Sequence, residues 1–155
     1  MPESSITIRA ATLDHLRELT RLYVAYRVFY GEPPAEEAAH RFLLDRIQRN
    51  AGQYFLAWDS AHGQDPPAAF MHLMPSTDTL AMRPMWFLED LYVEPSARNH
   101  GIATSLLRHA EDFARGAGAE RLTLATAHDN TAAQSIYRKL GYVRDEHFYY
   151  FHRIL

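Results

Sequence analysis

The chain opens on a strict alternation of apolar and polar positions, Ile6-Thr7-Ile8-Arg9-Ala10, the period of a half-buried strand. The period then lengthens. Leu16, Leu19, Leu22, Tyr23 and Tyr26 recur at helical spacing and form one apolar stripe, with Glu18, Arg21 and Arg27 mostly on the opposite face. Thr12 stands where an N-cap belongs, with Asp14 in the first turn, and Gly31-Glu32-Pro33-Pro34 ends the helix. A second helix is predicted from about Ala35 to Arg49, stopping at Asn50-Ala51-Gly52. Two short apolar runs, Tyr54 to Trp58 and Ala68 to Met74, flank the turn-rich segment Asp59 to Pro67 and read as an antiparallel hairpin.

After a loop at Pro75 to Pro84, a third apolar run from Met85 to Val93 is interrupted by two adjacent acids, Glu89 and Asp90. Glu94-Pro95-Ser96-Ala97 breaks the strand. A helix from about Ile102 to Arg115 follows, with Leu106, Leu107, Ala110 and Phe113 on one face and Gly116-Ala117-Gly118 as its stop. Leu122 to Thr126 reads as a strand, and a helix opening at Asn130 or Thr131 runs through Leu140 to Gly141 at C′. Tyr142 to Asp145 and Phe148 to Ile154 are expected to close the chain as a last hairpin. The order β-α-α-β-β-β-α-β-α-β-β predicts an α/β (α+β mixed) sheet, parallel around one crossover helix and antiparallel at its hairpins. A single domain over residues 1–155 is expected.

Composition narrows the chemistry. At 155 residues, with 47% apolar and 23% charged positions, the chain is long enough for one sizeable core. The absence of cysteine excludes disulfides, zinc ribbons and an acyl-cysteine intermediate. A net charge of −3 offers nucleic acid no general attraction and mildly favours a cationic substrate. No apolar run approaches the roughly 18 residues of a membrane span, and Met1-Pro2-Glu3-Ser4-Ser5 carries no leader signature, so a soluble cytoplasmic protein is expected. The histidines lack metal-ligand spacing, and no metal site is expected.

Between Leu91 and Ala103 a strand passes through a turn straight into a helix. Such a helix start has backbone N–H groups without internal partners and a positive dipole end, which suits a phosphate or pyrophosphate. Gly101 and the small Ala103 admit close approach of a ligand, and Arg98 adds a guanidinium fork. Other phosphate and nucleophile motifs fail. Gly116 to Arg121 lacks the third glycine of a dinucleotide fingerprint and follows a helix. The only lysine, Lys139, is not in a phosphate-binding loop, and no Gly-x-Ser-x-Gly elbow occurs.

The run Leu88-Glu89-Asp90-Leu91-Tyr92-Val93-Glu94-Pro95, followed by Arg98-Asn99-His100-Gly101-Ile102-Ala103, resembles the acetyl-CoA motif of the GCN5-related N-acetyltransferase (GNAT) superfamily. Asp129 to Tyr142 is similar to that family's second hallmark, Asn-x-x-Ala-x-x-x-Tyr-x-x-x-Gly-Phe/Tyr. The resemblance implies acetyl-CoA as acetyl donor and coenzyme A as product. It implies that Leu91, Tyr92 and Val93 form the strand that bonds the pantetheine arm. Arg98, Asn99, His100, Gly101, Ile102, Ala103 and Thr104 would wrap the pyrophosphate. Asn130 would also bond the arm, Ala133 would line the thiol end, and Tyr137 would act at the sulfur as general acid. Ala103 stands where many members carry glycine. A homodimer is expected from the family, with the aromatic run Phe148 to Phe151 at an edge that needs cover.

A primary amine with a lysine-like pKa of about 10.4 is neutral in only roughly one molecule per thousand at pH 7, so acetyl transfer requires a proton acceptor. By likeness to the polyamine-acetylating branch Glu89 is the favoured base, directly or through water. Strand alternation predicts that Glu89 and Asp90 point to opposite faces, with Asp90 in pairing and loop support. Tyr137 would speed departure of the thiolate, whose thiol is near 8.5 against about 10 for a phenol. Tyr26, Tyr30 and Glu32 are candidates for an aromatic and acidic cuff around a cationic amine, together with Glu89, Asp90 and His128. The acceptor expected is a small molecule with a primary amine, a polyamine or another aliphatic amine. A peptide or amino-acid acceptor and a non-catalytic acyl-CoA sensor are the alternatives.

Overall fold

The structure, a computed structural model, describes residues 5–62 and 66–155, so the leader-free start expected at Met1 to Ser4 lies outside the described residues. The elements are β1 Ile6–Ala10, α1 Leu16–Phe29, α2 Glu36–Gln48, β2 Gln53–Asp59, β3 Ala69–Asp78, β4 Arg83–Val93, α3 Ile102–Gly116, β5 Arg121–Leu124 and α4 Thr131–Lys139. They compose two compact units, Met1–Ala125 and Thr126–Leu155. Within the first, the sheet runs β1-β2-β3-β4-β5 in space, antiparallel at its first three junctions and parallel between β4 and β5, which α3 connects. This is the mixed sheet the strand–helix order requires.

Alternation within the strands divides the core between two faces. Tyr54, Leu56, Phe70 and Tyr92 pack with Leu16, Leu19 and Leu22 of α1 and Leu43 of α2. The opposite face meets α3, where Phe113 lies 5.4 Å from Phe55 and 4.9 Å from Trp86. Thr12 caps less directly than its position suggests. A single turn of tighter helix at Leu13–His15 precedes α1, and the Thr12 N–H is taken by His15 Nδ1 at 3.1 Å. In its first half α1 is tied to the loop after β4 by an Arg21–Glu94 ion pair and by Arg21 donating to the Pro67 carbonyl at 2.7 Å.

One irregularity governs the centre of the sheet. In the β3–β4 ladder His72 faces Asp90 and Leu73 faces Leu88, so Glu89 is an extra residue with no partner opposite it. A bulge of one residue reverses the side-chain alternation beyond it. Leu88 therefore shares the α3 face with Leu73, whereas Asp90 shares the α1 face with His72, Phe70 and Tyr92. The pleat on which Glu89 and Asp90 were expected to take opposite faces is therefore interrupted at Glu89. That rule holds for an unbroken pleat, and the acids sit where the pleat is broken.

In the second unit α4 begins at Asn130, whose side chain accepts the Ala133 N–H at 3.3 Å. The last hairpin expected at Tyr142–Asp145 and Phe148–Ile154 does not form: none of these residues is in a strand. Two physical reasons are visible. The Asp145 carboxylate accepts the N–H groups of His147 and Phe148 at 2.8 and 3.0 Å, folding the backbone into a local turn that withdraws donors from a ladder. Four consecutive aromatics, Phe148 to Phe151, also supply no period of two to choose a buried face, and all are exposed.

Two outcomes are expected. Deleting Glu89 restores an unbroken pleat with Leu88 still opposite Leu73 and Asp90 still opposite His72, so Leu91, Tyr92 and Val93 keep their faces. Urea unfolding should then show a loss of no more than about 1 kcal/mol, and about 0.5 kcal/mol or less for the exposed substitution Glu89→Ala, because both cores keep their residues. Burial beside Phe55, 4.7 Å away, holds the His109 imidazole below its ordinary value, so protons favour the unfolded chain. Unfolding free energy should decline as pH falls below about 6.5, and His109→Phe should flatten that part of the profile.

Candidate functional site

The pairing of β4 ends unevenly. On one side it bonds β3 up to Val93, whereas on the other β5 accompanies it only from Met85 to Leu88. From Glu89 onward that second edge has no strand beside it among the described residues. The direction of the main chain follows from one bond. Glu94 N–H donates to Ala68 O at 2.9 Å toward β3, so in an antiparallel ladder Tyr92 also bonds inward while Leu91 presents its N–H and C=O, and Val93 its N–H, to the open edge. An extended ligand bearing amides can continue the sheet there.

The same edge leads into the start of α3. Asn99 and Gly101 both adopt left-handed backbone, φ 65 and φ 84, which turns the chain sharply into the helix. The first helical bond is Ser105 N–H to Gly101 O at 3.0 Å, and no side chain caps the N–H groups of Ile102, Ala103 and Thr104 before it. A Cβ on Gly101 would meet nothing within 4 Å, so the space above the turn is open. Converging donors at a positive dipole end, reached from an open strand edge, fit a diphosphate carried on an amide-bearing arm. Arg98 is differently employed. Its Nε donates to Val93 O at 2.9 Å and its guanidinium lies over Phe29 and Tyr92, 5.4 and 5.7 Å from their centroids. No other hydrogen bond of its fork is made among the described residues.

Around the bulge the two acids differ. Glu89 is exposed and bears no ion pair among the described residues. The Asp90 side chain is 19% exposed, accepts from His72 Nδ1 at 2.9 Å, and also holds the Tyr26 hydroxyl. Burial first, and then Asp90, push the Tyr26 phenol above its ordinary value, which keeps it a hydrogen-bond donor. Tyr26 stands edge-on to Tyr30, 5.1 Å away, and Tyr30 to Phe29 at the same distance. The end of α1 thus forms an aromatic wall next to Asp90. Glu32 is highly exposed and lies 3.9 Å from Arg27, which partly satisfies its charge.

In the second unit, Asn130 commits its side-chain oxygen to the cap of α4, leaving its amide N–H groups for another acceptor. Tyr137, two turns on, meets Tyr142 in a tilted ring contact with centroids 5.9 Å apart, and Ala133 lies one turn before it. The His128 ring is exposed, and its carbonyl accepts from Gln134 at 3.1 Å.

Two features escaped the sequence reading. His72 is the lone polar side chain in the apolar run Ala68 to Met74, a signal that a hairpin register would have set against the acids. Phe29 was visible beside Tyr30, yet nothing in the pattern announced that it would carry the Arg98 guanidinium.

Residues 16–142 match the family model "Acetyltransferase (GNAT) family". The chain is 31% identical over 146 residues to an uncharacterized N-acetyltransferase, YhfO, of Bacillus subtilis (strain 168), covering 94% of this chain and 95% of that one. It is 37% identical over 68 residues to an aminoglycoside N(6′)-acetyltransferase type 1 of Acinetobacter haemolyticus, 44% of this chain and 47% of the relative. A crystal structure described as a probable acetyltransferase superposes with a TM-score of 0.88 at 36% identity, covering 96% of this chain and 97% of that one. With the open strand edge and the uncapped helix start already in place, these matches establish that the chain belongs to the GNAT family and is an acetyl-CoA-dependent N-acetyltransferase.

Proposed function

We propose that the enzyme acetylates the primary amine of a small cationic molecule, a polyamine or another aliphatic amine, by direct attack within a ternary complex. The observation that supports this reading is the bulge at Glu89, next to Asp90, which meets Tyr26 of α1, at the point where the second edge of β4 opens. Acetyl-CoA supplies an acetyl thioester already activated toward an amine. Leu91 and Val93 bond its arm, the N–H groups of Ile102 to Thr104 hold its diphosphate, and the Arg98 guanidinium adds a charge.

On the acceptor side, an ammonium group is attracted by Asp90 and packs against the faces of Tyr26 and Tyr30. It cannot attack until it loses a proton. Glu89, exposed and without an ion pair among the described residues, has the free lone pairs to take that proton directly or through one water. By the family resemblance, Tyr137 returns a proton to the departing thiolate, and Asn130 and Ala133 support the arm near it. The similarity to an enzyme named for aminoglycosides, themselves amines, is compatible with this class of acceptor.

The deciding experiment follows free-thiol release from acetyl-CoA with spermidine, diamines, aminoglycosides, amino acids and short peptides. Turnover of polyamines or diamines, weakened by Glu89→Gln most at low pH, is the expected result. Turnover confined to peptides or amino acids overturns the acceptor class, and cofactor binding without thiol release points to a sensor. Tyr137→Phe should lower kcat by about a hundredfold while acetyl-CoA still binds, as calorimetry will show. Gly101→Val forces a β-branched residue into left-handed backbone and displaces the diphosphate cradle, so the KM for acetyl-CoA should rise about tenfold or more in steady-state titrations.

A further inference from the structure

Only two polar or charged side chains are buried among the described residues, Asp59 and His72. Asp59 lies at the end of β2 and accepts the Ala61 N–H at 3.1 Å, the ordinary work of a turn. His72 has no such role. It sits mid-strand in β3 at 4% exposure, within an otherwise apolar run. A polar group in that position is costly unless its bonds are made.

The ring is clamped on every side. Tyr54 of β2 stacks on it with centroids 4.1 Å apart and planes at 1°. Nδ1 meets Asp90 Oδ2 at 2.9 Å. Nε2 is buried without a partner and faces Gly52, where an added Cβ would stand 2.7 Å away. That crowding settles what the ring can do. A proton on Nε2 would be a buried donor with nothing to receive it, so the ring is the neutral tautomer with its proton on Nδ1, donating to Asp90. With Nε2 sealed, His72 cannot shuttle protons to solvent or substrate.

The consequence falls on Asp90. It is held by two neutral donors, His72 from β3 and Tyr26 from α1, and among the described residues no arginine or lysine pairs with it. The other groups around the pair are Tyr54, whose phenol burial pushes up to about 12 against the opposing pull of Arg46 from α2, and Glu89 on the same strand. The Asp90 carboxylate is thus fixed in direction, partly exposed, and its charge is not cancelled by a cation within the protein.

We propose that His72 is a positioning residue of the acceptor site, its Nδ1–H fixing the Asp90 carboxylate so that the exposed oxygen binds the ammonium group of the incoming amine. The inference rests on the small-amine reading above and assigns that site's anchor to Asp90, leaving proton removal to Glu89. A neutral donor suits this task. It orients the anion without consuming the charge that attracts the substrate.

The test uses three substitutions that differ in where they place a donor. His72→Asn keeps an amide N–H near the Nδ1 position, His72→Gln moves it toward the Nε2 position against Gly52, and His72→Leu removes it. Spermidine, 1,4-diaminobutane and kanamycin serve as acceptors, with turnover followed by thiol release and amine binding by calorimetry. His72→Leu and His72→Gln should raise the KM or Kd of the amine about tenfold to hundredfold, with the acetyl-CoA KM changed by about twofold or less. His72→Asn should recover most of that loss. If the Leu variant does not fold, the contrast between Asn and Gln, of equal polarity, carries the comparison alone. Wild-type amine kinetics in the Leu and Gln variants, equal defects in Asn and Gln, or a matching rise in the acetyl-CoA KM would overturn the positioning role while leaving the acceptor class standing. A wild-type enzyme that neither binds nor acetylates any of the three amines overturns both.

Discussion

A central strand in a mixed sheet must satisfy ladders on both edges, and β4 does so only until Leu88. The single unpaired residue at Glu89 releases it from that constraint. A bulge increases local twist and bends the strand. Its far half stays paired to β3 while β5 ends opposite Leu88, and main-chain groups that would otherwise be consumed by the sheet face outward. Everything else at the site depends on this: the open edge at Leu91 and Val93, the entry into α3, and the placing of Asp90 on the face that α1 covers. Deep burial elsewhere is what makes the irregularity tolerable. Leu73 and Leu88 on one face and Phe70 and Tyr92 on the other are locked into opposing cores, so the register on each side of the bulge cannot slip.

The contacts that join α1 to the end of β4 differ in weight. Exposed pairs such as Arg41–Glu37 and Arg49–Asp45 lie along one helix and contribute little. Arg21 spans a large sequence separation, pairing with Glu94 and donating to the Pro67 carbonyl, and so anchors the helix to the loop that precedes α3. Arg98 makes a second link, since its guanidinium both closes on Val93 O and rests on Phe29 and Tyr92. The strand that leads into α3 and the aromatic end of α1 therefore share one guanidinium. Its flat, weakly hydrated surface suits it to stacking where a lysine ammonium would not serve.

Much of this was legible in the letters. β1, the helices and the parallel turn of chain around α3 follow from period and punctuation, because amphipathic stripes and Gly or Pro stops are local properties. The helix start at Gly101 to Thr104 was legible for the same reason: unpaired N–H groups belong to any helix start. What could not be read is whatever depends on register. Glu89 and Asp90 were seen as neighbours on a pleat, and only pairing with His72 and Leu73 reveals that one residue is surplus. The final hairpin failed in the opposite way. Aromatic residues favour strands by packing against neighbours, and the local turn at Asp145 competed with any such pairing.

The two carboxylates illustrate how position divides identical chemistry. A carboxylate has about four lone-pair directions, and Asp90 commits some of them to His72 and Tyr26, whereas Glu89 commits none to an ion pair among the described residues. Held from two sides, Asp90 has a fixed direction and suits recognition of a cation, for which geometry matters more than freedom. Glu89, at the bend of the bulge and exposed, has room to move and contact with water, which a proton acceptor needs. Had the pleat been unbroken, the alternation of the strand would have put these side chains on opposite faces of the sheet. The extra residue permits binding and proton removal to be assigned to neighbours in sequence, and it does so at the same point where the strand gives up its ladder.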